Sequence, residues 1–232
     1  MPHFHRFFSD VCTSIMEKNN NSIFNLRIDF TKDVIDEKKL SSNPIIQFNK
    51  WMDQALNAQA NEPNAMTLST ANKNGRVDGR IVLLRAADKN GFSFFTNYHS
   101  AKGKEIKSNK NVCLTFFWPE LQRQVRIRGT VAKLAVKKSD LYFASRPRES
   151  QIGAHASHQS DVLAGREELE NRYKLLEQNF SGKKIPRPKH WGGYFVNAIE
   201  IEFWQGRENR LHDRFLYSKN KSGKWKMVRL NP

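Results

Sequence analysis

Apolar residues fall into two textures along this chain. Over 45–60 they recur at helical spacing, with Ile46, Phe48, Trp51, Met52 and Leu56 on one predicted face. Beyond that come short, partly β-branched apolar runs at 65–71, 79–87, 92–98, 112–118 and 124–134. Asn74-Gly75 and Asn90-Gly91 divide the first three, and Asn-Gly supplies the positive φ that tight hairpins need. In 124–134, Val125, Ile127 and Val131 alternate with Gln124, Arg126, Arg128 and Thr130, which predicts an antiparallel strand with one buried face. Residues 137–146 and 165–180 read as helices, the second with a core stripe of Leu169, Tyr173, Leu176 and Phe180. Pro186 and Pro188 mark a linker, and 193–204, 209–218 and 224–230 are strand-like again.

Strands at short spacing, joined by hairpins and interrupted by only a few helices, disfavour a doubly wound parallel sheet. They predict a mainly β (α+β) fold, an antiparallel barrel with peripheral helices. Residues 1–43 are polar and mixed, with an Asn run at 19–21, and read as a partly flexible arm with room for one short helix. Asn43-Pro44 marks entry to a single folded body over 44–232, in which no repeat or internal domain break is visible.

Composition changes the picture in two ways. Sixteen Phe and five Trp can build a sizeable core, and Lys plus Arg outnumber the acids 39 to 23, a formal net charge of +16. That excess attracts anions, but it is spread along the chain without a long basic block. A site for phosphorylated small molecules fits this better than a nucleic-acid surface. The two cysteines, Cys12 and Cys113, imply no disulfide framework. With no membrane-length apolar run and no secretory core at the N-terminus, they point to the reducing cytoplasm. His3 and His5 fit a solvated end better than a metal site.

Four stretches could carry chemistry. If 209–218 is a strand, Arg210, His212 and Arg214 share one face, opposite Leu211 and Asp213. Such a cluster either faces an anion or is a solvated basic edge. Arg80 and Arg85 flank four apolar residues and, five apart on one strand, would face opposite sides; they are phosphate ligands or ordinary strand-end arginines. Tyr142 and Arg146 share a helical face that Pro147 would terminate, with Ser150 in the following turn, a set suited to cradling a phosphate. His155 and His158 lack companion carboxylates or cysteines at metal-ligand spacing, so no metal is expected. Gln159 and Ser160 beside them offer neutral hydrogen bonds. Phosphate-loop and dinucleotide glycine signatures are absent.

Taken in order, segments 80–85 (Arg-Ile-Val-Leu-Leu-Arg), 95–97, 123–125, 145–153 (Ser-Arg-Pro-Arg-Glu-Ser-Gln-Ile-Gly), 157–160, 191–194 (Trp-Gly-Gly-Tyr), 203–206, 210–214 and 229–232 resemble the pyridoxine/pyridoxamine 5′-phosphate oxidase family. The resemblance covers about 43–232. It implies an FMN-binding split β-barrel with a C-terminal dimerisation region, working as a homodimer with flavin at the subunit interface. The implied reaction oxidises pyridoxine or pyridoxamine 5′-phosphate to pyridoxal 5′-phosphate, with oxygen reduced to hydrogen peroxide. By resemblance, FMN contacts come from Arg80, Ile81, Val82, Leu83, Leu84, Arg85, Phe95, Thr96, Lys102, Gln124, Gln159, Ser160, Trp204 and Arg214. Arg85, Tyr142, Arg146 and Ser150 would hold the substrate phosphate, and Arg210 and His212 would act at the substrate ring. The chain departs from the family in having Arg85 where lysine is usual, and Ala101-Lys102 where an Arg-Lys pair is usual. The second departure predicts weaker FMN retention. Two other readings are a related split-barrel flavoprotein with another substrate and a basic nucleic-acid-binding protein.

Overall fold

The computed structural model describes residue 26, residues 28–89 and residues 91–232. The Asn run, His3, His5, Cys12 and Asn90 lie outside the described residues.

Helix α1 (Pro44–Asn57) begins where Asn43 accepts a hydrogen bond from the Ile45 N–H at 2.9 Å and Pro44 supplies a preset φ. It buries Ile45, Phe48, Trp51 and Ala55, while Ile46 and Leu56 are exposed. The predicted stripe is therefore rotated, because the barrel mouth takes the Phe48–Trp51 side. Phe48 sits edge-on to Phe92 and Phe116, both with ring centroids 5.0 Å away, and closes one end of the core.

Among the described residues the body is one nine-stranded sheet in which every pairing is antiparallel. In chain order the strands are β1 (Ala65–Ala71), β2 (Val77–Leu83), β3 (Ala86–Asp88), β4 (Gly91–Asn97), β5 (Asn111–Trp118), β6 (Arg123–Lys133), β7 (Trp191–Gln205), β8 (Asp213–Lys219) and β9 (Trp225–Leu230). The order across the sheet is β2-β1-β5-β6-β7-β4-β3, with β8 and β9 added beside β7. In β6 the expected alternation holds: Val125, Ile127 and Val131 are buried, Arg128 and Thr130 exposed.

Two features shape the site. The predicted single strand over 79–87 is two strands with different partners. β2 pairs with β1, but the Leu84 N–H bonds to Asn64 O (2.8 Å) and the Arg85 N–H to Ser93 O (2.8 Å), after which β3 pairs with β4. Arg80 and Arg85 are thus not on one ladder, and strand alternation does not set their relative faces. Second, β7 keeps β6 on one edge but has two neighbours on the other, β4 along 191–196 and β8 along 200–205. A register shift at Arg128/Gly129 accompanies the change; a Cβ on Gly129 would lie 2.3 Å from Asn197 O. This shared strand makes the sheet a split, curled half-barrel.

The helices are peripheral: α2 (Ala101–Ser108), α3 (Val136–Ala144), α4 (Arg148–Ala156) and α5 (Arg166–Asn179). Neither α2 nor α4 was expected from periodicity. Ile106 is the only large apolar residue of α2, and Pro147 starts α4 rather than merely ending α3. Ser150 therefore stands in a helix, not in a turn. The stripe on α5 exists but is only half-buried, with Tyr173, Leu176 and Phe180 against a small second core of Phe143, Ile152, Ile185 and Trp191.

Residues 28–43, expected as part of a loose arm, lie against the barrel. The Lys32 N–H bonds to Gln122 Oε1 (3.1 Å), Asp33 pairs with buried Arg123 (2.5 Å), and the Ile35 N–H bonds to Asp213 Oδ2 (3.2 Å).

Candidate active site

A cavity of about 450 Å³ opens between the β2–β4 rim and helices α2, α3 and α4. Arg85 enters it from the point where the chain changes strand partner, Phe95 and Thr96 from β4, and Lys102 from the first turn of α2. Tyr142 comes from the last turn of α3, Arg146 from the link just past the end of that helix rather than from the helix itself, Ser150 from α4, and Gln159 from the loop after it. Ile81, Val82 and Leu83 line one wall. Of the residues expected at the site from sequence, eleven meet here.

One wall is aromatic. Phe95 stacks on Tyr142 (3.9 Å, 20°), and Trp191 continues the stack at 5.6 Å from Phe95 and 13° from its plane. Gly193 permits this arrangement, since a Cβ there would come 2.8 Å from the Phe95 ring. Arg146 lies over the Trp191 ring at 4.6 Å, and Arg85 is 5.8 Å from the Tyr142 ring centre. Burial pulls the Arg146 pKa below its ordinary value, opposed by Tyr142 and reinforced by Arg85. Its Nη1 is buried with no hydrogen-bond partner among the described residues. Buried donors of this kind are rare, so this one marks where an acceptor belongs.

At the other end of the cavity Lys102 is buried, and desolvation followed by the charge of Arg80 lowers its pKa. Its Nζ and the Thr96 hydroxyl both donate to Gln159 Oε1 at 3.3 Å. Arg80 stands behind Lys102 rather than lining the cavity, donating to Asp78 (2.5 Å) and Glu105 (3.0 Å). Leu84 is in the core, and Ser160 is exposed at a positive φ of 75°.

Gln124, Trp204 and Arg214 form a separate group, side by side across β6, β7 and β8. Arg214 Nε donates to Glu202 Oε1 and its Nη1 to Asn231 O, both at 2.9 Å. His212 packs on Trp204 (4.6 Å). The expectation of a strand from 209 fails here: Glu208–Arg210 is a 3-10 turn, Asn209 and Arg210 have φ of 55° and 61°, and pairing starts at Asp213. Asp213 ends the turn by accepting from Arg207 (2.9 Å), Arg229 (2.8 Å) and the Ile35 N–H. The alternation that would have placed Arg210 on the face of Arg214 therefore does not exist. The Arg207 N–H donates to His212 Nδ1 at 3.1 Å, and burial, then Arg210, lowers the histidine pKa.

The two groups lie at opposite ends of β7. Trp191 and Trp204 are thirteen positions apart on that strand. At about 3.3 Å per residue, roughly 40 Å of strand separates them.

Two residues went unassigned in the sequence. Trp191 was visible only as the start of a Trp-Gly-Gly run, whose glycines are a signal of close packing. Phe30, which packs edge-on against Trp204 (5.7 Å) and His212 (5.8 Å), carried no signal within its polar surroundings. Among the described residues no group of three or more His, Cys, Asp and Glu is placed to hold a metal ion. His155 Nε2 contacts Pro186 O (2.8 Å), and His158 contacts Arg172 (2.9 Å).

Comparison with known proteins identifies the family. Residues 52–179 match the family profile described as pyridoxamine 5′-phosphate oxidase, and 191–232 match that of the pyridoxine 5′-phosphate oxidase C-terminal dimerisation region. The pyridoxine/pyridoxamine 5′-phosphate oxidase of Nostoc punctiforme is 49% identical over 213 residues, 92% of this chain and 100% of that one. That of Rubrobacter xylanophilus is 51% identical over 207 residues, 89% of this chain and 95% of its own. Among solved structures, PhzG from Burkholderia lata 383, in complex with tetrahydrophenazine-1-carboxylic acid, superposes with a TM-score of 0.81 at 31% identity, covering 86% of this chain and 98% of that one. A pyridoxamine 5′-phosphate oxidase-related FMN-binding protein from Nostoc punctiforme shares the fold, with a TM-score of 0.64 at 15% identity, over 83% of this chain and 100% of that one. With both halves matched by the family's profiles and about half of the aligned positions shared with its members, this chain belongs to the pyridoxine/pyridoxamine 5′-phosphate oxidase family.

Proposed function

We propose that this protein is an FMN-dependent pyridoxal 5′-phosphate synthase. Pyridoxamine 5′-phosphate, oxygen and water give pyridoxal 5′-phosphate, ammonia and hydrogen peroxide; pyridoxine 5′-phosphate and oxygen give pyridoxal 5′-phosphate and hydrogen peroxide. The observation that carries the reading is the cavity that gathers Arg85, Tyr142, Arg146 and Ser150 at one end and Lys102 with Gln159 at the other. Two cationic ends suit two phosphate esters, and the flat aromatic wall between them suits planar rings.

Arg146, with an unpartnered buried donor, and Arg85 hold the substrate phosphate, assisted by the Tyr142 and Ser150 hydroxyls. Lys102, Gln159 and Ser160, with Arg80 behind them, would hold FMN, with Ile81, Val82, Leu83, Phe95 and Thr96 lining the same cavity. Bound FMN supplies the two-electron acceptor that side chains lack, and oxygen takes the electrons on.

Gln124, Trp204 and Arg214 serve the flavin, and Arg210 and His212 the substrate ring. With roughly 40 Å of strand between the two groups, one chain does not assemble them. A homodimer does, each copy bringing its far group to the other's cavity. Exposed Val77 and Ile81 on β2, Phe117 on β5 and Ile199 on β7, and the dimerisation profile over 191–232, support that pairing. Neutral His212 accepts at Nδ1 from the Arg207 N–H, so its proton resides on Nε2. It therefore orients substrate as a hydrogen-bond donor rather than acting as the base. Among the described residues no helix is long and apolar enough to cross a membrane, and cytoplasmic residence belongs to the same reading.

The test is oxygen uptake by the FMN-loaded protein. Pyridoxamine 5′-phosphate is expected to consume oxygen and yield an aldehyde and peroxide, with unphosphorylated pyridoxamine far weaker. A flavin-loaded protein inert toward both phosphorylated vitamers overturns the reading.

A further inference from the structure

Beside the cavity's lysine lies a closed ionic cluster that the functional reading does not require. Arg80 Nη2 donates to Asp78 Oδ2 (2.5 Å) and Glu105 Oε2 (3.0 Å). Its Nη1 donates to Leu68 O (3.3 Å) and to the Thr70 hydroxyl, which in turn donates to Glu105 Oε2. Both terminal nitrogens are committed, and no two-pronged face is left for a phosphate. Lys102 senses the same group, since the charges of Arg80, Glu105 and Asp78 all act on it. Two cations and two carboxylates sum to zero formal charge where a phosphate dianion should bind.

The two carboxylates are not equivalent. The Asp78 side chain is 56% exposed, so water screens it, whereas Glu105 is 17% and Arg80 18% exposed. Glu105 is held on the second turn of α2, one turn from Lys102 on the same helix. An incoming phosphate therefore meets a poorly screened negative charge beside its own lysine.

We propose that Glu105 sets the affinity for the phosphate of the flavin: its carboxylate occupies the donor face of Arg80, and the phosphate gains that arginine only by displacing it. The proposal rests on the assignment of this end of the cavity to FMN. It makes Glu105 a determinant that weakens binding, in contrast to a residue that merely props up Arg80. Neutralising it leaves a net charge of +1 in the cluster and frees an Arg80 donor. A charge 4–6 Å from a phosphate changes binding by about a factor of ten.

The experiment is flavin fluorescence quenching on apoprotein at fixed ionic strength, with FMN and with riboflavin, which lacks the phosphate. Glu105→Gln is expected to lower the FMN Kd about tenfold and leave the riboflavin Kd within twofold. Asp78→Asn, whose target is solvent-screened, shifts FMN in the same direction by no more than about threefold and provides the same sign test should Glu105→Gln not fold. FMN binding unchanged or weakened in a folded Glu105→Gln protein overturns the proposal, as does equal tightening of riboflavin. Wild-type protein that binds neither flavin overturns the FMN assignment itself, and this inference with it.

Discussion

Arg146 offers a prediction with two opposite signs. Among the described residues its buried Nη1 has no hydrogen-bond partner, and the guanidinium is held over Trp191 at 4.6 Å. Leaving a buried donor unsatisfied costs about 1–3 kcal/mol. The cation–π contact returns about 0.5–1 kcal/mol. Arg146→Met keeps the aliphatic stem against the Trp191 ring and removes the orphaned donor, so the ligand-free protein should gain about 1 kcal/mol. For a chain of this size that is roughly 2–4 °C in Tm. The ligand side moves the other way. Loss of a charge-assisted hydrogen bond to phosphate removes about 1.5–3 kcal/mol, raising KM for pyridoxamine 5′-phosphate roughly 10–150-fold with kcat little changed. Denaturant unfolding of the apoprotein at fixed protomer concentration checks the first half, and steady-state oxygen uptake the second. A variant less stable by 1 kcal/mol or more would refute the orphaned-donor argument. Equal KM increases for pyridoxamine with and without phosphate would refute the assignment of Arg146 to the phosphate.

Ala101→Arg restores the usual Arg-Lys pair at the start of α2 and should tighten FMN at least tenfold in fluorescence titrations, an added charged hydrogen bond being worth about 1.5–3 kcal/mol; unchanged affinity would place the flavin phosphate elsewhere. The His212 pKa is lowered, so the unfolded chain binds its proton more readily than the folded one. Its contribution to stability is therefore complete above about pH 6.5 and lost as pH falls through the lowered folded value. Histidine-resolved NMR titration and unfolding at pH 5 and 7 check this, and His212→Gln should flatten the difference. Gly103→Ala places a Cβ 2.2 Å from Tyr98 O, a backbone atom that cannot step aside. Despite a favourable helix propensity, it should cost about 1–2 kcal/mol and loosen FMN by shifting Lys102; thermal melts and flavin titration test both effects.

Two strands were legible because apolar texture and alternation are local signals: 124–134 differs by one residue at each end from β6, and 65–71 coincides with β1. Helix α2 was not legible, because its sequence, Ala-Lys-Gly-Lys-Glu-Ile-Lys-Ser, buries a single large apolar side chain and is held by the Ser100 cap rather than by a stripe. The cavity residues were legible as residue types suited to phosphate, and their grouping by resemblance. The shared face of Arg210 and Arg214 was misread, since period-two reasoning presumes a strand and Asp213 anchors a turn there instead.

Residue order alone determined an antiparallel β body, a surplus of cations suited to phosphate esters, and membership of a recognisable family. Only the tertiary structure decided that the backbone changes partner at Leu84–Arg85, that β7 serves two neighbours on one edge, and that the site residues divide into two groups at its ends. The reason is physical. Periodicity records which side of a segment is buried, a property of neighbouring residues. The partner a strand pairs with, and the distance between its two ends, depend on contacts among segments far apart in the chain.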